Sequence, residues 1–265
     1  MLDFSGKAIL VVGGTSGINR GIAEAFARAG GRVAVASRDP AKVSATVEAL
    51  QQSGGEAFGF SADVRDLAAV EAGVAEVYQA FGSIDVLVSG AAGNFPALAE
   101  RLSSNGFRAV MEIDTLGTFH VMRATRPYLT TPGASVINIS APQAFVPMQA
   151  QVHVCAAKAG VDMITRTLAL EWGAVGIRIN SIVPGPIDGT EGMARLAPTA
   201  ELREKITATV PLKRFGTALD IAGAAMFLAS DMARYISGAV LPVDGGWSLS
   251  GCGALGEHLT DLVSH

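Results

Sequence analysis

The sequence predicts an α/β fold in which a doubly wound parallel sheet of about seven strands carries helices on both faces. Three observations predict it. Short apolar runs, many of them β-branched, alternate with helix-like segments along the whole chain. These runs are apolar at successive positions, as strands covered on both faces must be. No linker or change of composition divides the 265 residues, a length that one doubly wound domain often has.

The predicted strands and helices follow one another in regular alternation. The strands cover residues 7–12, 32–36, 56–60, 84–88, 134–139, 177–182 and 239–243, and the helices cover residues 17–29, 40–52, 66–81, 103–129, 151–173 and 217–230. Strands that alternate with helices pair in parallel, because each crossover helix returns the chain to the same end of the sheet. The pattern is that of a Rossmann-like sheet.

One segment, residues 185–210, departs from this alternation. It is rich in Gly, Pro, Thr and Ala and lies between the sixth strand and the last helix. An excursion of this size beyond the carboxyl end of a strand usually covers a ligand. We therefore expect a substrate cover here, and a plain surface loop is the alternative. We expect residues 1–250 to form one domain, followed by a tail, residues 251–265, that is either a packed arm or disordered.

Composition and charge narrow the functional class. The formal net charge of -4 gives no basic footprint for nucleic acid, so an anionic ligand must be held by local groups. Cys155 and Cys252 are too few for a disulfide framework and lack metal-site spacing, which indicates a reducing compartment and no metal. The sequence shows no signal-peptide pattern, membrane span or terminal targeting tripeptide, so the expected location is the cytoplasm.

The run GGTSGIN, residues 13–19, follows the first predicted strand and opens the first predicted helix. A turn of this kind directs backbone N–H groups and a helix N-terminus at a pyrophosphate. Gly13 permits the tight turn, and Gly17 lets the phosphates approach closely. Two glycines at this spacing are a weak signal alone, because any strand-to-helix turn favours glycine.

Further motifs, in order along residues 4–247, resemble those of the short-chain dehydrogenase/reductase family. GGTSGIN is similar to the family's TGxxxGIG signature, with Asn19 in place of the last glycine. The resemblance implies that Asp63 contacts the adenine, that residues 91–93 line the cofactor channel and that residues 184–187 hold the nicotinamide amide. The implied cofactor-binding residues are Gly13, Thr15, Ser16, Gly17, Ile18, Ser37, Arg38, Asp63, Val64, Ala91, Ala92, Gly93, Lys158, Pro184, Gly185 and Ile187.

The end of the second predicted strand indicates which nicotinamide cofactor the protein prefers. NAD-binding proteins place a carboxylate there, which accepts a hydrogen bond from the ribose 2′-OH. This chain has Ser37 and Arg38, with no acid at either position. A guanidinium and a hydroxyl suit a 2′-phosphate, so NADPH is the predicted cofactor. A lone surface arginine is the alternative interpretation of Arg38.

The tyrosine that the family normally uses as its acid is missing. The resemblance places that tyrosine four residues before the lysine, on the same helix face, where this chain has Val154 before Lys158. The family's substrate-orienting serine corresponds to Ala141, and its helix asparagine corresponds to Asp114. A carbonyl–alcohol dehydrogenase of the usual mechanism is therefore not expected.

Other side chains are poor substitutes for the missing phenol. His153 and Cys155 flank Val154 in sequence and would point to either side of it on a helix. The chain's three tyrosines, Tyr78, Tyr128 and Tyr235, end two other helices or lie near the last strand.

One branch of the family, the 2,4-dienoyl-CoA reductases and especially the peroxisomal type, shows the same departure. Four strings around the expected pocket resemble that branch, namely AAGNF at 91–95, VMEIDT with GTF at 110–119, QVH with AK at 151–158, and GPIDGTEG at 185–192. The resemblance implies an NADPH-dependent reduction of a conjugated 2,4-dienoyl-CoA thioester in unsaturated fatty-acid degradation. It also implies a homotetramer with an acyl-CoA substrate.

The chemistry of this substrate explains how the tyrosine can be dispensable. Hydride enters the far end of the conjugated system, and the charge spreads into a dienolate that hydrogen-bond donors at the thioester oxygen stabilise. Asn94 is the predicted donor, Asp114 is predicted to orient a water that supplies the proton, and Lys158 is predicted to hold the nicotinamide ribose. Phe95 and Gly189 belong to the predicted substrate pocket.

Alternatives remain at the level of residues and of function. Asn94 is otherwise a turn residue, and Asp114 is otherwise a polar support for the backbone. The protein is otherwise a reductase or dehydrogenase of another acyl or carbonyl substrate, or a non-catalytic NADP(H)-binding protein. Arg195, Lys213 and Arg214 are candidates for the CoA phosphates because they are basic and close to the cover.

Overall fold

The computed structural model describes residues 2–250 and residue 259. Strands β1 to β7 are, in order, Ala8–Val12, Arg32–Ser37, Ala57–Ser61, Val86–Ser89, Ser135–Ile139, Arg178–Pro184 and Val240–Val243. They form one sheet in the order β3-β2-β1-β4-β5-β6-β7, and all neighbouring strands are parallel. The predicted doubly wound parallel sheet of seven strands is therefore confirmed.

The strand order reverses its direction between β1 and β4. Val12 at the end of β1 lies opposite Ala36 of β2 on one side and opposite Ser89 of β4 on the other. The chain therefore leaves these two strands toward opposite edges of the sheet. Their carboxyl ends leave a crevice between them, which is where open α/β sheets bind their ligands.

Ten α-helices occur in the described part of the chain. Helices α1 to α10 are, in order, Gly17–Arg28, Pro40–Gln52, Leu67–Phe81, Ser104–Val110, Gly117–Thr125, Val152–Gly173, Glu191–Leu196, Ala200–Thr209, Ala218–Ala229 and Trp247–Ser250. Five predicted helices match α1, α2, α3, α6 and α9 to within one residue at either end. Asp66 and Thr217, predicted as first helical residues, are instead the N-caps of α3 and α9.

The helix predicted over residues 103–129 is not a uniform α-helix. It runs as α4, a π-helical turn Met111–Leu116, α5 and a 3₁₀ turn Arg126–Tyr128. Apolar spacing cannot separate these types, because each repeats after about three to five residues. Asp114 lies in the π-helical turn and is fully buried. Such wider turns are frequent at functional sites.

The segment predicted as a cover contains regular structure that the sequence reading missed. Its alternative, a plain surface loop, is wrong, because α7 and α8 occupy most of it. Both helices begin at a threonine, since Thr190 accepts from the N–H of Met193 and Thr199 accepts from the N–H of Leu202. The buried side chains of the two helices pack in one apolar cluster with Met148, Ala150, Val210, Trp247 and Leu259.

The sheet is buried on both faces, which explains its continuous apolar strands. Ile9 and Val11 pack with Phe26 of α1 on one face. Leu10 and Val12 pack with Val74 of α3 on the other. Within the described residues, no helix is long and apolar enough to cross a bilayer. The predicted tail lies outside the described residues except for Leu259, which is buried.

Candidate active site

Two adjoining clefts open at the carboxyl ends of β1 and β4. The outer cleft, of about 520 Å³, runs from the glycine-rich turn to α2 and is walled by Gly13, Thr15, Ser16, Asn19, Ser37, Arg38, Lys42, Asp63, Val64, Ala91 and Ala92 among others. The inner cleft, of about 440 Å³, continues from Ser16 past Gly93, Asn94, Asp114 and Lys158 to α7. Ser16, Asn19, Arg38 and Glu191 line both, so the two clefts are continuous.

The glycine-rich turn leaves the N-terminus of α1 open to the clefts. Gly13 and Gly17 have φ angles of +79° and +53°, which side chains disfavour. A Cβ at Gly13 would lie 3.0 Å from the backbone nitrogen of Ala91. Ser16 makes no side-chain cap to α1, and the first turn of this helix contains no acidic residue. The arrangement suits a pyrophosphate.

Asn19, which replaces the last glycine of the signature, ties this turn to the neighbouring strand. Its Nδ2 donates to the carbonyl of Gly90, just after β4, at 2.8 Å, and the side chain is buried. A Cβ at Gly90 would lie 2.3 Å from that nitrogen. Asn19 therefore joins the first turn of α1 to the end of β4 across the crevice.

Arg38 and Ser37 lie at the end of β2, at the rim of the outer cleft. Arg38 is exposed and lines both clefts, and Ser37 lies beside it. Lys42, in the first turn of α2, is a third polar group on this wall and was missed by the sequence reading. Its Nζ lies 3.6 Å from Oε1 of Glu191, the first residue of α7. The cover thus contacts the rim of the outer cleft.

Asp63 lies in the outer cleft as an ionised acceptor. The guanidinium of Arg65 donates to it from Nε at 3.0 Å and from NH2 at 2.6 Å. These hydrogen bonds hold the pKa of Asp63 below its ordinary value, although partial burial acts in the opposite direction. A carboxylate offers about four acceptor sites, so a ligand N–H can still bind here.

Lys158, Asp114 and Gly93 meet at the floor of the inner cleft. Lys158 Nζ lies 3.2 Å from Asp114 Oδ2 and donates to the carbonyl of Ile139 at 3.1 Å. Asp114 Oδ1 accepts from the backbone N–H of Gly93 at 2.7 Å. Lysine has three donors, so one N–H of Lys158 is available to a ligand in the cleft. Both side chains are buried, at 8% and 0% exposure.

The positions of the missing tyrosine and serine are apolar and face the inner cleft. Val154 and Ala141 both line it. His153 and Cys155 do not, because His153 is fully buried against the ring of Phe95 at 4.6 Å and Cys155 packs near Met148. All three tyrosines lie within the described residues, and none lines either cleft.

Burial lowers the pKa of His153 from its ordinary value of 6.5, although the carbonyl of Phe95 and the charge of Asp114 act in the opposite direction. Neither ring nitrogen makes a hydrogen bond of good geometry in the described part of the structure, so the Phe95 backbone offsets the burial of the ring only weakly. The neutral ring therefore serves as packing beneath the loop that carries Asn94 and Phe95.

Asn94 lines the inner cleft, and its side-chain amide is held from behind. Gln151 Nε2 donates to Asn94 Oδ1 at 2.9 Å. Phe95 and Gly189, the other predicted substrate contacts, lie outside the lining of both clefts. Phe95 stacks on His153, and Gly189 is an exposed turn residue with φ of +70°.

The cover closes one side of the inner cleft. Pro184, Gly185 and Ile187 line it at the end of β6, together with Met193, Arg195 and Leu196 of α7. The Nε1 of Trp247, another lining residue, donates to Thr209 Oγ1 of α8 at 3.0 Å, which ties the cover to the chain after β7.

The three basic residues near the cover are not equivalent. Arg195 lies at the inner cleft, where its NH1 donates to the Asn94 carbonyl at 3.4 Å. Lys213 donates instead to the carbonyl of Ala208, and Arg214 is paired with Asp220. Neither lines the inner or the outer cleft.

A family model and similar proteins of known name agree on the family of this chain. The model of the family described as enoyl-(acyl carrier protein) reductase matches residues 12–248. A "Peroxisomal 2,4-dienoyl-CoA reductase [(3E)-enoyl-CoA-producing]" of Arabidopsis thaliana is 43% identical, over 92% of this chain and 85% of its own length. A Bacillus subtilis protein named "Probable 2,4-dienoyl-CoA reductase [(2E)-enoyl-CoA-producing]" is 40% identical, over 91% of this chain and 96% of its own length.

A solved structure supports the same family. A short chain dehydrogenase from Bacillus anthracis superposes with a TM-score of 0.82 and is 36% identical. The superposition covers 91% of this chain and 96% of that one.

We expect His153→Phe to flatten the dependence of stability on pH. Because the pKa of His153 is lowered in the folded chain, protons bind the unfolded chain more readily. The stability of the neutral ring is therefore present above pH 6.5 and is lost as the pH falls below that value. Between pH 7.5 and 5.5 the unmodified protein should lose more of its free energy of unfolding in urea than the variant does. Parallel curves would contradict this assignment.

Proposed function

Because the chain belongs to the short-chain dehydrogenase/reductase family, we propose that it is an NADPH-dependent reductase of conjugated 2,4-dienoyl-CoA thioesters in unsaturated fatty-acid degradation. One observation carries the proposal. The inner cleft places the Asn94 amide, Asp114 and Lys158 around a site where the usual tyrosine and serine positions hold Val154 and Ala141. The inner cleft offers hydrogen-bond donors that can stabilise a delocalised negative charge, and no tyrosine hydroxyl lines it.

The outer cleft fits the cofactor by its chemistry. The open N-terminus of α1 would hold the pyrophosphate, and Asp63 would accept from the adenine amino group. Arg38, Ser37 and Lys42 would bind the 2′-phosphate, because the nearest acid, Asp39, is engaged as the N-cap of α2, where it accepts from the N–H groups of Ala41 and Lys42. Lys158 and the turn after β6 would hold the nicotinamide end. Bound there, the cofactor supplies a hydride to the far end of the conjugated substrate.

The residues of the chain then have to stabilise the charge that reaches the thioester oxygen. Asn94 does this by donating from Nδ2, since its Oδ1 is already occupied by Gln151. The ammonium of Lys158 adds a positive charge at the buried floor of the cleft, where electrostatic interactions are stronger than in water. Because the charge is spread over several atoms, no strong acid has to protonate the oxygen itself.

A proton must finally reach a substrate carbon, and the Asp114–Lys158 pair is placed to deliver it. Asp114 Oδ1 accepts from Gly93, and Oδ2 is paired with the Lys158 ammonium but accepts no hydrogen bond from the described residues. Asp114 therefore holds the ammonium, whose remaining N–H is used by the cofactor, and its Oδ2 can accept from a water and orient that water toward the substrate. The water supplies the proton and is restored from solvent. Asp114 therefore takes part in the proton step and is not only a polar residue that supports the backbone.

The proposal also includes the oligomeric state of the protein and its location in the cell. Exposed apolar side chains on the adjoining π-helical turn, α5 and α6 (Leu116, Phe119, Met163 and Leu170) favour the predicted homotetramer, in which they would be covered. The cytoplasmic location also stays a prediction.

Purified protein should consume the dienoyl absorbance of 2,4-hexadienoyl-CoA in the presence of NADPH. Asp114→Asn is the matched variant, because it keeps the side-chain volume and removes the charge that holds Lys158. We expect it to lower kcat about 10²-fold, a larger factor than its effect on the Kd of NADPH, to which Lys158 contributes only at the nicotinamide end. Binding of NADPH without consumption of any dienoyl, enoyl or carbonyl substrate would contradict the proposal and favour a non-catalytic protein.

The cofactor preference has its own test. Arg38→Ala should raise the Kd of NADPH by about tenfold or more and change that of NADH little, because a charge-assisted hydrogen bond to the 2′-phosphate is lost. Fluorescence titration of the reduced cofactors measures both constants. Arg234→Ala, a charge change far along the chain at an exposed position, is the control. Equal losses for the two cofactors would remove Arg38 from the 2′-phosphate site.

A further inference from the structure

We propose that Gln151 is a positioning residue that fixes the direction of the Asn94 amide, so that Nδ2 and not Oδ1 faces the substrate. The inference rests on the proposed function, in which Asn94 donates to the thioester oxygen. Gln151 lies just before α6 and does not line either cleft, so it touches no substrate itself.

Three side-chain amides form a hydrogen-bonded series at the inner cleft, from Gln143, which lines the cleft, through the buried Gln151 to Asn94. Gln143 Nε2 donates to Gln151 Oε1 at 3.1 Å. Gln151 Nε2 donates in turn to Asn94 Oδ1 at 2.9 Å. Gln151 therefore accepts at its oxygen and donates from its nitrogen, and both hydrogen bonds of the series run in the same direction. The last amide is Asn94, and its Nδ2 remains available to donate to a ligand, since no other described residue accepts from that atom.

The surroundings of Gln143, the first amide of the series, determine the direction of these hydrogen bonds. Gln143 Nε2 also lies 3.6 Å from Met148 Sδ. A thioether sulfur can only accept a hydrogen bond, so it favours the nitrogen of Gln143 at this end. If Gln143 and Gln151 were turned over, an oxygen would face the sulfur, and Asn94 would present its oxygen to the cleft. That oxygen would repel the thioester oxygen, which is also an acceptor.

Gln151 has no other evident use. Its side chain has 0% exposure, and a buried amide is costly unless its hydrogen bonds are made. It occupies the N-cap position of α6, yet it makes no side-chain cap to the helix. Glutamine is also not among the residues that favour this position. The side chain is committed to the link between Gln143 and Asn94.

The backbone holds the two ends of this link in register. The N–H of Ala97 donates to the carbonyl of Ala150 at 2.9 Å, which joins the Asn94 loop to the residue before Gln151. Asn94 and Gln151 therefore keep their spacing while a substrate enters. A preoriented donor costs no reorganisation at the moment of reaction, which is the condition for effective stabilisation of developing charge.

The test uses Gln151→Glu, which keeps the shape but makes the group an acceptor when ionised. The ionised carboxylate should draw Asn94 Nδ2 away from the cleft, and kcat for hexadienoyl-CoA should fall about 10²-fold at pH 8.5. Burial at this fully buried position raises the pKa of a carboxyl, and the protonated form can donate as glutamine does, so the loss should shrink as the pH is lowered to 6. The Kd of NADPH should not change. Gln79→Glu, which adds the same charge at an exposed position, is the control.

A double-mutant cycle separates positioning from structural support. Asn94→Ala removes the donor, so adding Gln151→Glu to it should cost no further activity. Additive losses, or a kcat of Gln151→Glu equal to that of the unmodified protein at pH 8.5, would overturn the proposal. If Gln151→Glu fails to fold, Gln151→Met, which removes the link without a charge, takes its place in the same cycle.

A binding measurement keeps this inference separate from the proposed reaction. With NADP⁺ in place of NADPH there is no turnover, and a donor at the thioester oxygen should shift the dienoyl absorbance to longer wavelength. Loss of the shift in both Asn94→Ala and Gln151→Glu supports the positioning role even if the protein proves not to reduce the substrate. A shift that survives Gln151→Glu at pH 8.5, or no shift in the unmodified protein, contradicts it.

Discussion

The buried ion pair between Lys158 and Asp114 is the interaction on which the rest of the site depends. It joins α6 to the π-helical turn, and through the N–H of Gly93 it also joins both to the loop after β4. Removing one partner of such a pair leaves an uncompensated charge in the interior, which costs about 3–5 kcal/mol. The pair therefore fixes three separate segments around one cleft while keeping an ammonium at its floor.

The proposed chemistry follows from what surrounds that pair. A phenol next to the ammonium would protonate an alkoxide, but this position holds Val154. The cleft instead offers hydrogen-bond donation from Asn94 at some distance from the reacting carbon. Such a site suits a substrate whose charge moves along a conjugated system to the thioester oxygen. The same residues suit a simple ketone poorly, because its charge stays on the oxygen beside the carbon that receives hydride.

The fold was predictable from the sequence because strands buried on both faces read as continuous apolar runs and because helices separate them. The residues of the ion pair were also predictable, since local motifs contain them. The π-helical turn was not, because apolar spacing does not distinguish it from an α-helix. The sequence contains a family motif that begins at Gln151, but it does not show the link between Gln151 and Asn94. Both partners of Gln151, namely Gln143 and Asn94, come from separate loops that only the folded chain brings together.

The central claim is that hydride enters the far end of a conjugated thioester, so that the charge is delocalised before any proton is added. The most direct measurement reduces 2,4-hexadienoyl-CoA with NADPH that carries deuterium at the transferable ring position, and then locates the deuterium in the product by NMR. The account predicts deuterium on the δ-carbon, at the end of the diene far from the thioester. Deuterium on the β-carbon, or none in the product, would contradict it.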